Sequence, residues 1–213
     1  MIRKNSEQVS GMTHMVAAIV SVMGLVWLLY LGQGDLTKQL TLLIYGISLV
    51  LMFSSSATYH LVRASPGVTA VLRKIDHAAI YLQIAGTYTP ICFYYLSGFW
   101  RSGMLITIWS MAIIGIGVKI FIIRAPRWVT AGIYLVMGWL SIFAIREMLL
   151  KMPSAALLWL FLGGIFYTVG AVIYILKKPD WFPGVFGFHE VWHVFVILGA
   201  WSHFIVMALF IAP

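Results

Sequence analysis

The chain has 213 residues, of which 62% are hydrophobic and 9% charged, and its formal net charge is +8. A soluble domain carries about 25% charged residues, so this chain has too few polar side chains to cover itself, and lipid is its expected solvent. The connections between apolar runs reach about a dozen residues at most, which leaves no room for a soluble domain, and the single cysteine, Cys92, excludes an intrachain disulfide.

A helix that crosses a bilayer needs roughly 20 mostly apolar residues. Seven segments meet that requirement, at about 12–31, 39–62, 75–96, 102–123, 128–150, 154–176 and 188–211. The expected fold is an all-α integral membrane protein, a seven-transmembrane-helix bundle forming one domain over residues 1–213. The breaks between spans hold the charges and turn formers, as in "RASPGVTAVLRK" and "KKPDWFPGVFG". Six of the seven prolines fall outside the spans, and Pro90 is expected to kink the third. The first span lacks a small-residue cleavage site and reads as retained rather than as a signal peptide.

The cations are unevenly placed. Counted alternately along the spans, one side carries Arg3, Lys4, Arg63, Arg73, Lys74, Arg124, Arg127, Lys177 and Lys178, with Lys119 one turn inside. The other side carries Lys38, Arg101, Arg146 and Lys151, giving ten against four. Positive charge accumulates in the cytoplasm, which predicts a cytoplasmic N-terminus and an outer C-terminus in a multi-pass plasma-membrane protein. The same asymmetry accounts for the basic balance as topology, so no nucleic-acid partner is expected and no protein partner is indicated. Trp100, Trp128 and Trp181 stand at span ends, as interfacial tryptophans do.

Ionisable residues inside spans are expensive in lipid and mark function. In chain order they are His14 in "MTHM", Ser56 and His60 in "SSSATYH", Asp76 and His77 in "RKIDH", and His189 and His193 in "FHEVWH". Under the predicted topology all four groups share one depth, toward the cytoplasm. Ser56 and His60 are four residues apart, as are His189 and His193, so each pair shares a helix face. His60, His189 and His193 offer three neutral imidazoles from two helices, and a catalytic zinc takes three protein ligands and keeps a position for water. Asp76 would orient that water or a ligand histidine, and Ser56 would hydrogen-bond the water or a substrate carbonyl. His77, about 100° around the helix from Asp76, is expected to face elsewhere. His14 either joins the site or caps a cytoplasmic surface, with the cap preferred. His203 lies too deep to share the metal and is assigned to packing.

The "HEVWH" run also spells HExxH, the zinc-protease pattern in which Glu190 would be the general base. An intramembrane protease would need a further ligand, for which Asp76 is available, but that reading leaves His60 and Ser56 without a role. Otherwise Glu190 is expected to face headgroups.

Taken together, the ordered motifs resemble those of the haemolysin III branch of the progestin and adiponectin receptor family, a group related to alkaline ceramidases. The motifs are "TH" in the first span, "SATYH" at Ser56–His60, "KIDHAAIYLQIAGTYTP" in the third and "HEVWH" at His189–His193. The resemblance implies one zinc ion on His60, His189 and His193, with the family's serine and aspartate at Ser56 and Asp76. It makes HExxH a coincidence. The receptor members carry a long cytoplasmic segment before the first span where this chain has about eleven residues, so a hormone-receptor role is not implied. The implied activity is hydrolysis of a lipid amide or ester bond, with membrane lipids as partners and a lipid substrate between the helices. Two alternatives stand: a non-enzymatic membrane protein with structural zinc, acting as pore, receptor or lipid-homeostasis regulator, and the intramembrane protease.

Overall fold

A computed structural model describes residues 2–121, 126–182 and 184–213, with side chains from residue 5 onward. Arg124 and the side chains of Arg3 and Lys4, all counted in the charge argument, lie outside the described residues. The described chain is helical almost throughout: α1 Ile2–Leu31, α2 Leu36–Leu61, α3 Pro66–Tyr95, α4 Gly98–Phe121, α5 Arg127–Gly138, α6 Ile145–Lys151, α7 Ser154–Leu176 and α8 Phe188–Val206. A 3₁₀ segment, Trp139–Ala144, joins α5 to α6, and a π turn, Met207–Ile211, prolongs α8.

Six stretches are long and apolar enough to cross a membrane: Asn5–Leu31, Leu36–Leu61, Gly98–Phe121, Arg127–Lys151, Ser154–Leu176 and Phe188–Ile211. Six of the seven spans read from the sequence meet this criterion. The exception is α3, which has 30 residues but includes Asp76, Gln83, Thr87 and Thr89 among its buried positions. It packs between α2 and α4 and also touches α5 and α6. A helix enclosed by other helices has little lipid contact to demand apolar side chains, and its polar groups find partners inside the bundle. Ser48 Oγ of α2 donates to Gln83 Oε1 at 2.9 Å, and Gln83 Nε2 donates to Thr87 Oγ1 at 3.2 Å. Gly86 lets the two backbones meet here, since a Cβ at that position would overlap Ser48. Gly86→Val is expected to lower stability by about 1–3 kcal/mol through overpacking, read as a fall in detergent thermal unfolding.

Two boundaries differ from the sequence reading in ways that shape the site. Helix α1 starts at Ile2 rather than near residue 12, so Ser6, Glu7 and Ser10 are helical. Helix α3 starts at Pro66, so most of "RASPGVTAVLRK" is helix rather than break. The Ser65 side chain caps it and Pro66 occupies the first turn, where its missing N–H is harmless. Helix α3 then runs through Pro90 to Tyr95.

The α5–α6 rod changes helix type where Tyr88 of α3 intervenes. Its hydroxyl lies 3.0 Å from the Met137 carbonyl and 2.8 Å from that of Gly138, and it accepts from Ser141 N–H at 2.8 Å. A side chain that satisfies the freed backbone groups allows the irregular turn within a span. The bundle closes laterally: α1 packs on α2 and α8, α3 on α2, α4 and α5, and α7 on α5 and α8. The N-termini of α1, α3 and α8 and the C-terminus of α2 therefore meet at one end.

Candidate metal centre

That end brings together the residues singled out in the sequence. His60 comes from the last turn of α2, and His189 and His193 come from successive turns of α8. Each of the three offers a ring nitrogen, and these nitrogens all lie within 4.8 Å of one another. His60 Nε2 and His189 Nε2 are 3.5 Å apart. That is long for a hydrogen bond, which prefers about 2.7–3.2 Å. It suits two ligands of one ion, because zinc–nitrogen bonds of about 2.0–2.1 Å at a tetrahedral angle separate two nitrogens by roughly 3.4 Å. His193 is 1% exposed, and its Nδ1 is buried without a hydrogen-bond partner among the described residues. Three converging imidazoles with an orphaned buried nitrogen fit a borderline-soft divalent cation such as zinc.

The groups behind the ligands come largely from α1. Glu7 Oε2 lies 2.6 Å from His60 Nδ1, which turns Nε2 of that ring toward the centre. A carboxylate behind a ligand imidazole fixes the tautomer and raises its basicity. Glu7 was missed in the sequence because the first eleven residues were read as lying outside the span. The available signal was a polar face: Glu7, Ser10 and His14 recur at spacings of three and four on one side of a helix. Gly11 on that face lets α1 approach closely, since a Cβ there would press on Leu61 and lie 3.2 Å from His60 Cβ.

Three expectations are corrected here. His14 does not cap a surface. It is 3% exposed, stacks on His193 with ring centroids 3.8 Å apart, and meets Phe53 edge-on at 5.0 Å. Glu190 does not face headgroups. It is 3% exposed, accepts from Ser6 Oγ at 2.7 Å and Ser10 Oγ at 2.9 Å through Oε1, and takes the Gly187 N–H at 2.8 Å through Oε2. This carboxylate ties the start of α1 to the first turn of α8. His77 does not turn away from Asp76, because its Nδ1 lies 3.3 Å from Asp76 Oδ2.

Asp76 and Ser56 are both buried and border the same cavity. Asp76 stands within electrostatic reach of His14, His60 and His189, but it is outside the set of converging ligand atoms. His203 lies further along α8 with Nε2 3.2 Å from the Leu160 carbonyl of α7, where it packs against α7 and borders the apolar cavity.

Two cavities meet beside Asp76. The first, about 390 Å³, is lined chiefly by apolar side chains of α3, α5, α7 and α8 and reaches His14, Ser56 and Asp76. The second, about 770 Å³, is polar and opens past Glu7, His60 and His189. Asp76, His77, Thr130, Tyr174 and Trp192 border both.

Comparison with known proteins agrees with the ordered motifs. Residues 2–204 match the family model described as haemolysin-III related. The chain is similar to a hemolysin-3 homolog of Bacillus subtilis (strain 168), with 35% identity over 93% of this chain and 91% of that one. It is also similar to hemolysin-3 of Bacillus cereus, with 33% identity over 97% and 92%. An adiponectin receptor protein of Drosophila melanogaster aligns at 29% identity over 62% of this chain and 33% of its own length. Six membrane-competent helices make the chain a multi-pass membrane protein, and its bacterial relatives support a plasma-membrane location. On a match that runs nearly end to end, the chain belongs to the haemolysin III-related family, within the progestin and adiponectin receptor group.

Proposed function

We propose that this protein is a single-domain, seven-helix membrane hydrolase that uses one zinc ion to cleave a lipid amide or ester bond. The observation that carries the reading is the convergence of His60, His189 and His193 beside Asp76 and Ser56, at the head of an apolar cavity. Helix α3 would be the seventh membrane-crossing helix, with its polar residues turned inward. The N-terminus would be cytoplasmic, in line with the ten-to-four division of cations, which puts the site near the inner leaflet.

A zinc ion held there supplies Lewis-acid polarisation of an acyl carbonyl and acidifies a water. The chain's own residues do the rest. Asp76, held by His77, is the candidate to take a proton from water and pass it to the leaving group. Ser56 has a hydroxyl to donate to the substrate carbonyl oxygen. The side chains of Ile80, Ile84 and Leu135 line the cavity for an acyl chain and exclude water from it. Nothing in this arrangement uses Glu190 as a base, because its carboxylate is occupied by Ser6, Ser10 and Gly187. That weighs against the protease reading.

Asp76→Ala tests the role of the carboxylate. A hydrolase is expected to keep its fold and its zinc while turnover of ceramides, acyl amides or lipid esters falls by about 10²–10⁴-fold. Loss of metal and stability instead would favour a structural site closed by a fourth protein ligand. The name hemolysin-3, carried by the Bacillus cereus relative, supports a second reading as a pore. Absence of conductance in planar bilayers would remove it.

A further inference from the structure

The polar cavity beside the histidines is lined by four cations from three helices: Arg73 and Lys74 of α3, Lys119 of α4 and Arg127 of α5. Their close neighbours are mostly neutral. Lys74 Nζ donates to the Ile120 carbonyl at 2.6 Å, and Lys119 Nζ donates to Thr130 Oγ1 at 3.0 Å. The Arg127 guanidinium lies 5.1 Å from the Tyr174 ring centroid and 5.3 Å from that of Phe188. Among the described residues none of the four forms an ion pair with a carboxylate. Four acids border the same cavity: Glu7 meets His60, Asp76 meets His77, Glu190 meets Ser6, Ser10 and Gly187, and Asp180 forms no ion pair with any of the four cations among the described residues. Lysine has three donors and arginine five, so these four side chains keep donor capacity that no carboxylate within ion-pair distance takes up among the described residues.

Topology alone explains cations at this end of the bundle but not their convergence. Arg63, Lys177 and Lys178 stand at the same end and do not line the cavity. This cationic mouth adjoins the apolar cavity, with Asp76, His77, Thr130, Tyr174 and Trp192 forming a common wall. A volume of about 390 Å³ falls within the range of small-molecule sites, roughly 300–1,000 Å³. The two chambers in series match an amphiphile with a charged head and an apolar tail.

We propose that the mouth is a headgroup site for an anionic membrane lipid, whose phosphate is held by Arg73, Lys119 and Arg127 while one acyl chain enters the apolar cavity past the histidines. This rests on the reading of that cavity as a lipid site, but it requires neither turnover nor metal. Charge-assisted bonds from arginine and lysine are the stronger class of hydrogen bond, and cations that lack a carboxylate within ion-pair distance gain from an anion placed among them.

The test is equilibrium binding to the purified, zinc-reconstituted protein in a nonionic detergent. Three probes are compared: oleoyl lysophosphatidate, the matching monoacylglycerol, and glycerophosphate. Lysophosphatidate is expected to bind about tenfold or more tighter than monoacylglycerol, a difference of about 1.4 kcal/mol or more. That preference should vanish in R73Q/K119Q/R127Q and survive in K177Q/K178Q. Leu135→Trp, which obstructs the apolar cavity, should weaken lysophosphatidate as well, because chain and head bind as one ligand. Equal affinity for the two lipids would overturn the proposal. So would an equal effect of K177Q/K178Q, which would mean diffuse surface attraction, or glycerophosphate binding as tightly as the lipid, which would mean a free-phosphate site. The same comparison in His193→Ala separates this inference from the hydrolase reading. Preference retained there supports the cationic mouth whatever becomes of catalysis, and preference lost there assigns anion selection to the metal and overturns it.

Discussion

His60→Ala and His193→Ala are each expected to drop the zinc content of the detergent-purified protein from about one ion per chain to near zero. The three nitrogens within 4.8 Å of one another come from two helices that are far apart in the chain, so either change leaves two donors and an incomplete site. Glu7→Ala is expected to act more mildly. It removes the carboxylate 2.6 Å from His60 Nδ1 without removing a ligand. Loss of such a support typically weakens metal affinity by about 10–100-fold. Elemental mass spectrometry of the three variants, followed by competition with a chelator, reads both effects. A wild-type protein that takes up no metal after zinc reconstitution would sink the hydrolase and protease readings together. It would leave the histidines as packing and proton-handling groups.

Glu190→Gln is expected to destabilise the protein by about 1–3 kcal/mol, with a larger loss for Glu190→Ala. The carboxylate accepts three hydrogen bonds in a position that is 3% exposed. Glutamine has one oxygen to offer where glutamate has two. If the NH₂ faces the Gly187 N–H, that donor goes unsatisfied, and if it faces the serines, their hydroxyls must turn to accept from it and charge-assisted bonds become neutral ones, in either case at about 1–3 kcal/mol. The first turns of α1 should loosen from α8, which limited proteolysis or hydrogen exchange at Ser6 and Ser10 would report. A protease general base behaves in the opposite way: its glutamine variant keeps stability and loses turnover altogether. Measuring thermal unfolding, lipid hydrolysis and peptide-bond cleavage on one preparation of Glu190→Gln separates the two.

Much of this molecule was legible from composition and spacing. An apolar excess over the whole chain leaves a helical membrane bundle as the fold, because each backbone N–H and C=O must be satisfied within lipid. The i, i+4 spacing of Ser56 with His60 and of His189 with His193 puts each pair on one face whatever the surroundings, and span alternation brought all four polar groups to one end. Those inferences depend on helix geometry, which is local.

What depended on neighbours had to come from the tertiary structure. Apolarity could not identify α3 as part of the bundle interior, since an enclosed helix is free to carry Asp76, Gln83 and Thr87 that a lipid-facing helix could not. Spacing assigned Glu190 to the headgroups and His14 to a surface cap because neither periodicity nor hydropathy says which helix end folds over which. The approach of α1 to α2 and α8, allowed by Gly11 and fastened by Glu190, buries both residues and brings Glu7 to His60. The histidine cluster was therefore legible in the sequence, whereas the carboxylate behind His60 and the adjoining of a polar cavity to an apolar one arose from packing between helices distant in the chain.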